Sequence, residues 1–357
     1  MLTVRRYLAR EIYAATLFVF ASFLALFAFF DLINELGELG RGGYRLQHAL
    51  LFVLLSMPGH IYELFPIAVL IGTLYALSHL AANSEYTVMR GSGFSTAMAI
   101  RTLVRIGVPF LLLTFLFGEL VTPAAERAAQ RLKLQATSSV VAQEFRTGFW
   151  VKDERRFVNV REILPDTSIL GVRIFEFDRD YRLVSVSDAR RGEFIGHGTW
   201  RLRDITRTQF GASGASSERR SEAQWNSMLT PNILSVLFIE PERMSALDLS
   251  QYVTHLAENG QQTERYEIAL WKKLIYPFAS LVMMALALPF AYMHLRSGTL
   301  GLKVFAGIML GIFFHMLNSL FSHLGLLKSW SPFTSAIFPS VAFLATAALM
   351  MWYVEKR

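Results

Sequence analysis

The chain has 357 residues, 53% of them hydrophobic and only 18% charged, against about 25% charged in an ordinary soluble domain. With a mean hydropathy of +0.36 this excludes a typical soluble fold, and the absence of cysteine excludes a disulfide framework, a thiolate metal site and a cysteine nucleophile. A net charge of +7 reads as nucleic-acid binding in a soluble protein, but in a membrane protein it records how basic residues are divided between two faces.

A bilayer core about 30 Å thick needs roughly 20 apolar residues per helix. The first candidate, Ile12–Phe30, follows Arg5 and Arg6. At 19 residues, and without a small-x-small site before Asp31, it reads as a retained helix rather than a signal peptide. Between Leu46 and Asn83 the only charge in 38 residues is Glu63. There Pro58 and Pro66 predict an interfacial helix around His48–Met57, then a span from about Ile61 to Ala82. The third span has 13 uncharged residues, Ile106–Gly118, and reaches spanning length if Arg101 and Arg105 snorkel at one end and Glu119 at the other. Leu274–Leu295, Val304–Leu327 and Ser329–Val354 are charge-free and bring the count to six.

From Thr122 to Leu270 the composition turns polar and alternates with period two, as in Val172-Arg173-Ile174-Phe175-Glu176-Phe177 and Trp200-Arg201-Leu202-Arg203. The tract Gly211–Glu222 reads as a loop. Ser245 or Asp248 can cap a helix that Gly260 ends, and a further helix from about Thr263 runs into the fourth span. The predicted fold is therefore a membrane α-helical protein of six transmembrane helices with an all-β domain inserted between helices 3 and 4. Its parts are residues 1–122 with a short cytoplasmic helix at about 84–92, an inserted domain at 123–262 with flanking helices, and 263–357.

Short segments on the side of the termini hold ten Lys and Arg against five on the other side. The positive-inside rule then places both termini in the cytoplasm and the β domain outside. The inserted stretch Pro123–Leu270 balances 20 basic with 20 acidic residues, so the whole +7 belongs to the cytoplasmic segments. Lys272 and Lys273, at the outer end of the fourth helix, run against this bias. They either recognise anionic headgroups or anchor the helix in the interface.

The loop Asn83–Phe94 carries the most specific pattern. Asn83 or Ser84 can cap a short helix with Glu85 in its first turn, and Gly91 or Gly93 ends it. Tyr86, Val88 and Met89 form an apolar surface beside Arg90. Such a helix can dock into a cleft on a cytoplasmic partner, as the coupling helices of ATP-driven transporters do, or it can simply connect two spans. Arg127 and Arg131, an i, i+4 pair, and Lys133 follow the third span on its outer side. They suit lipid phosphates or salt bridges to Glu126 or Glu119. His315 and Asn318 share a face of the fifth helix, as an interhelical hydrogen bond or as a proton relay. No P-loop, H-E-x-x-H or G-x-S-x-G motif occurs, and the eight His do not cluster at metal-ligand spacing, so no catalytic residue, metal or cofactor is assigned.

Three helices, a β domain and three helices, with N-S-E-Y-T-V-M-R-G-S-G-F between the second and third, resemble the lipopolysaccharide-export permeases of LptF/LptG type. T-G-F-W-V-K-D at Thr147–Asp153 and the run Leu247–Pro277 carry the same resemblance and point to its G-type branch. The resemblance implies a jellyroll-like periplasmic domain, a paralogous six-helix LptF-like subunit, a dimeric cytoplasmic LptB-like ATPase and a single-span LptC-like periplasmic bridge. It implies that lipopolysaccharide enters from the outer leaflet of a Gram-negative inner membrane through gates made by helices one and five of opposite subunits. Glu85 and its neighbours then couple ATP hydrolysis to the cavity, and Arg131 and Lys133 face lipid phosphates. Family members often carry lysines at the outer end of the first helix, where this chain has Asp31, Glu35 and Glu38; Arg41 and Arg45 are the basic substitutes nearby. The rival readings are a permease extracting lipoproteins or other lipids, a membrane-embedded lipid enzyme, and a structural scaffold.

Overall fold

The computed structural model describes residues 2–40, 43–136, 148–153, 155–163, 168–196, 198–211, 214–227, 240–292, 300–328 and 330–356; Arg41, Thr147, Leu295 and Ser329, used in the readings above, lie outside them. Before the sheet come α1 (Leu2–Leu36), α2 (Leu46–Ala82), the short α3 (Glu85–Gly91) and α4 (Thr96–Leu116). A π-helical turn, Phe117–Val121, leads from α4 into α5 (Thr122–Ala136). After the sheet come a 3-10 turn (Pro241–Arg243), α6 (Ala246–Glu258), α7 (Glu264–Ala287), α8 (Pro289–Tyr292), α9 (Leu300–Lys328) and α10 (Pro332–Glu355). Among the described residues six helical runs are long and apolar enough to cross a membrane, as predicted.

α2 is the central pillar. In its most apolar window 78% of residues are buried, against 6% in α1 and 17% in α9. Leu64, Val69, Leu74 and Leu77 of α2 pack with Leu8 and Ile12 of α1, Ile106 and Phe110 of α4, and Met283 and Leu286 of α7. Burial on every side explains why Pro58 and Pro66 do not break α2 in two. The helix runs unbroken for 37 residues, which corrects the predicted interfacial helix and separate span. Interior prolines each cost a backbone hydrogen bond, but neighbouring helices offset this. The acceptor that Pro58 leaves without its helical donor is the Leu54 carbonyl; separately, the Thr122 hydroxyl donates to the Pro58 carbonyl at 2.9 Å and joins that turn to the head of α5. The third span is likewise longer than the 13 uncharged residues suggested. Ser95 Oγ accepts the Met98 N–H at 3.3 Å to start α4, Arg101 and Arg105 lie exposed on it, and the helical run continues past Glu119.

The insertion is one antiparallel sheet whose strands neighbour each other in sequence order: β1 (Phe149–Asp153), β2 (Arg156–Ile163), β3 (Ile169–Phe177), β4 (Leu183–Gly196), β5 (Thr199–Gly211) and β6 (Gly214–Asn226). Alternation sorts its faces. Val158, Val172, Ile174, Ala189, Leu202 and the Trp200–Trp225 cross-strand pair form the buried side. The polar residues between them bridge neighbouring strands, as in Arg173–Asp188 of β3 and β4, or reach over one, as in Arg207 of β5 to Glu176 of β3. β6 corrects the predicted loop at Gly211–Glu222. Its residues Gly214–Glu222 are exposed on both faces, so no hydrophobic alternation marks them, and pairing with β5 supplies the order instead. The helix after the sheet is as predicted. Ser245 Oγ caps α6 by accepting the Asp248 N–H, and Gly260, at φ +60°, lets the Gln261 N–H return to the Leu256 carbonyl at 2.9 Å.

Candidate functional site

The loop between the second and third spans forms α3 where expected, with Glu85 in its first turn. Its N-cap differs from the prediction. Ser84 sits at φ +62° and makes no side-chain cap, so the helix is held by tertiary contacts rather than by a capping oxygen. Its end is built by Gly93 at φ +92°, which lets the Phe94 N–H reach the Met89 carbonyl at 3.1 Å.

Tyr86 is not part of an exposed surface. It is 2% exposed, with its ring 5.3 Å from Tyr292 and 6.5 Å from Phe94, and burial pushes its phenol well above the usual range. Met89 is half-buried against the same core, so among the predicted apolar trio only Val88, 70% exposed, faces outward. Arg90 lies 4.7 Å over the Tyr292 ring. Glu85 accepts a hydrogen bond from the Tyr7 hydroxyl of α1 at 2.8 Å. α3 is thus riveted to the fourth span through Tyr86 and joined to the first span through Glu85.

At the sheet end of the bundle the three basic candidates part company. Arg127 pairs with Asp248 of α6 at 3.1 Å, and Lys133 with Glu35 of α1 at 2.8 Å, its ammonium also 4.7 Å from the Phe52 ring centroid. Arg131 is exposed and forms no ion pair with another described residue. The carboxylates proposed from sequence to pair with these residues, Glu126 and Glu119, are engaged elsewhere. Glu126 holds Arg243 at 3.1 Å, and Glu119 accepts the Ala246 N–H at the start of α6 at 2.9 Å.

The acidic end of α1 is also internally matched. Asp31 meets His60 at 2.6 Å, and Glu35 accepts the Tyr44 hydroxyl at 2.7 Å in addition to Lys133. Asp31, Glu35, Glu126 and Arg243 share the wall of a cavity of about 330 Å³ between α1, α2, α5 and the 3-10 turn. Burial pulls the Arg243 guanidinium down, but Glu126, Glu63 and Glu240 outweigh it and hold its pKa above the usual arginine value. Arg243 and Tyr44 escaped the sequence reading. The i, i+4 spacing of Asp31 and Glu35 was the available signal that one face of α1 seeks cations.

His315 and Asn318 do not bond each other or a neighbouring helix among the described residues; Asn318 donates to the Phe314 carbonyl of its own helix at 2.9 Å. Both face a second cavity, of about 240 Å³, with Lys272 and Lys273. No group of His, Asp and Glu suited to a metal ion occurs among the described residues.

Six apolar spans among the described residues, divided by one antiparallel sheet and with a short helix pinned between the second and third, define a multi-pass membrane protein with an inserted β domain. The chain belongs to the family of lipopolysaccharide export system permeases LptF/LptG, which matches residues 6–353. It is 30% identical over 354 residues to the lipopolysaccharide export system permease protein LptG of Escherichia coli K12, covering 99% of this chain and 98% of that protein. It is 28% identical over 356 residues to the LptG protein of Haemophilus influenzae, with 99% and 98% coverage.

Proposed function

We propose that this protein is the G-type permease subunit of an ATP-driven lipopolysaccharide exporter. It pairs with an LptF-like subunit and rests on an LptB-like ATPase dimer that hydrolyses the ATP. It takes lipopolysaccharide from the outer leaflet of the inner membrane and passes it to an LptC-like bridge in the periplasm. It carries out no covalent chemistry itself. The termini and α3 lie in the cytoplasm and the sheet in the periplasm, a reading supported by the excess of Lys and Arg on the α3 side.

The observation that carries the mechanism is the double attachment of α3. Val88 and Arg90 face outward for the ATPase, Tyr86 fastens the helix to the fourth span, and Glu85 reaches the first span through Tyr7. A displacement of α3 is therefore delivered to α1, which with α9 is among the least buried spans and is free to move against a partner subunit. Lipid phosphates are received by Arg131, the unengaged cation of the three, and by Lys133 once it exchanges Glu35 for the phosphate. Arg127, already paired with Asp248, contributes field rather than direct contact.

The test is Glu85→Ala and Glu85→Lys in the assembled complex. Lipid-stimulated ATP hydrolysis should fall by about tenfold or more while the complex still co-purifies, the size expected when a charge-assisted contact in the drive path is lost. Unchanged hydrolysis and transport would sink the coupling role.

A further inference from the structure

The fourth span enters the bundle with two adjacent lysines. A lysine that only anchors a helix in the interface keeps its ammonium in water. Lys273 does the opposite. It is 4% exposed, with its Nζ 3.4 Å from the Glu242 carbonyl and 4.5 Å from the centroid of the Tyr62 ring. Both lysines line the cavity of about 240 Å³ bounded on the other side by His315, Asn318, Ser319 and His323 of α9. Those four positions follow helical spacing and form one polar stripe on an otherwise apolar span.

Asn318 Nδ2 is spent on the Phe314 carbonyl, and His323 Nδ1 donates to the Ser319 carbonyl at 2.7 Å, so a neutral His323 turns an Nε2 acceptor to the cavity and the Ser319 hydroxyl is the donor left there. Two acids also line it. Glu63 lies 3.8 Å from the Arg243 guanidinium and shares its charge there, while Glu242 stands exposed on the 3-10 turn and offers Lys273 only its carbonyl. Neither lysine forms a carboxylate ion pair among the described residues. Two ammoniums at the outer end of an apolar span, neither in such a pair, call for an anion.

We propose that this cleft between the fourth and fifth spans binds the phosphate of a lipid headgroup, at a site separate from Arg131 and Lys133. Lys272 and Lys273 supply the charge, and the Ser319 hydroxyl supplies a further donor. Lys272 lies eight residues into α7, about 12 Å along the helix. That position, where the charge-free stretch Leu274–Leu295 begins, and against the rings of Tyr62 and Tyr276, favours a headgroup whose chains stay in the bilayer over a free ion.

The test uses the full chain in nanodiscs of phosphatidylcholine with or without phosphatidylglycerol. Native mass spectrometry should find an anionic lipid retained by the wild type and by Arg131→Glu. In Lys272→Gln, and in Asn318→Asp, which sets a carboxylate across from the lysines, its apparent affinity should drop by about tenfold, the worth of one charge-assisted contact. Unfolding midpoints identify any variant that is merely misfolded, and Lys272, only half-buried, is the milder site. Equal retention in both folded variants overturns the site, and loss in Arg131→Glu overturns its separateness. Acylation of Lys272 should be blocked by phosphatidylglycerol and not by the same concentration of inorganic phosphate; equal protection by inorganic phosphate overturns the assignment to a lipid. Failure of this site leaves the Arg131 and Lys133 reading intact.

Discussion

Glu35 is 7% exposed and holds both Tyr44 and Lys133, so it competes with any phosphate for the same ammonium. Removing its charge in Glu35→Gln should free Lys133 and raise lipopolysaccharide photocrosslinking beside it by about fivefold, equivalent to roughly 1 kcal/mol, the upper end for an ion pair that keeps one partner in contact with solvent. Lys133→Glu and Arg131→Glu should lower it; equal crosslinking in all three would return these residues to a structural role. His255 of α6 offers a different handle. Burial depresses its pKa below the ordinary 6.5, against the opposing pull of Asp153 and Glu258. The unfolded chain therefore takes up the proton first. Stability present above pH 6.5 is lost as pH falls through the depressed native value. The thermal midpoint of the purified protein should be lower at about pH 5 than at about pH 7.5, and His255→Gln should narrow the difference. Arg127, Arg131 and Lys133 were legible as a basic group in the sequence, but their partners were not. Lys133 and Glu35 stand 98 positions apart, and nothing local in either neighbourhood announces the other.

Among the elements, α1 depends on a close crossing with α2 because so little of it is buried elsewhere. A Cβ on Gly72 would come within 2.6 Å of the Thr16 Cα and 2.7 Å of its backbone nitrogen, so the two helices touch backbone to backbone. Gly72→Val should force them apart, cost about 1–3 kcal/mol and lower the detergent unfolding midpoint. A midpoint like that of the wild type would mean α1 is held by its polar end contacts alone. α3 illustrates the limit of local reading. Its length, its acid and its terminal glycine followed from sequence, whereas the burial of Tyr86 did not. An amphipathic turn of seven residues has no room to show which side meets a core, and here the core is made by Tyr292, far along the chain. The same holds for β6, ordered by its partner strand with no buried face of its own.

At the scale of the molecule, the absence of cysteine makes the topology directly measurable. Val88→Cys and Ser217→Cys, both at exposed positions, should be labelled by a membrane-impermeant maleimide from opposite sides of the inner membrane, Ser217→Cys in intact spheroplasts and Val88→Cys only after lysis. Labelling of both from one side would overturn the orientation. Hydropathy and period by themselves determined that there are six spans, that an alternating polar insertion divides them, and that the +7 lies in the short segments on the side of the termini, because each of these is a sum over neighbouring residues. Only the tertiary structure decided that α2 stays whole through two prolines, that the acids of α1 are matched by His60, Tyr44 and Lys133, and that Lys273 is buried against a polar stripe of α9. The reason is physical. A proline's local penalty and a charge's preference for water are each a few kcal/mol, and packing or pairing with residues remote in the chain is large enough to reverse either one.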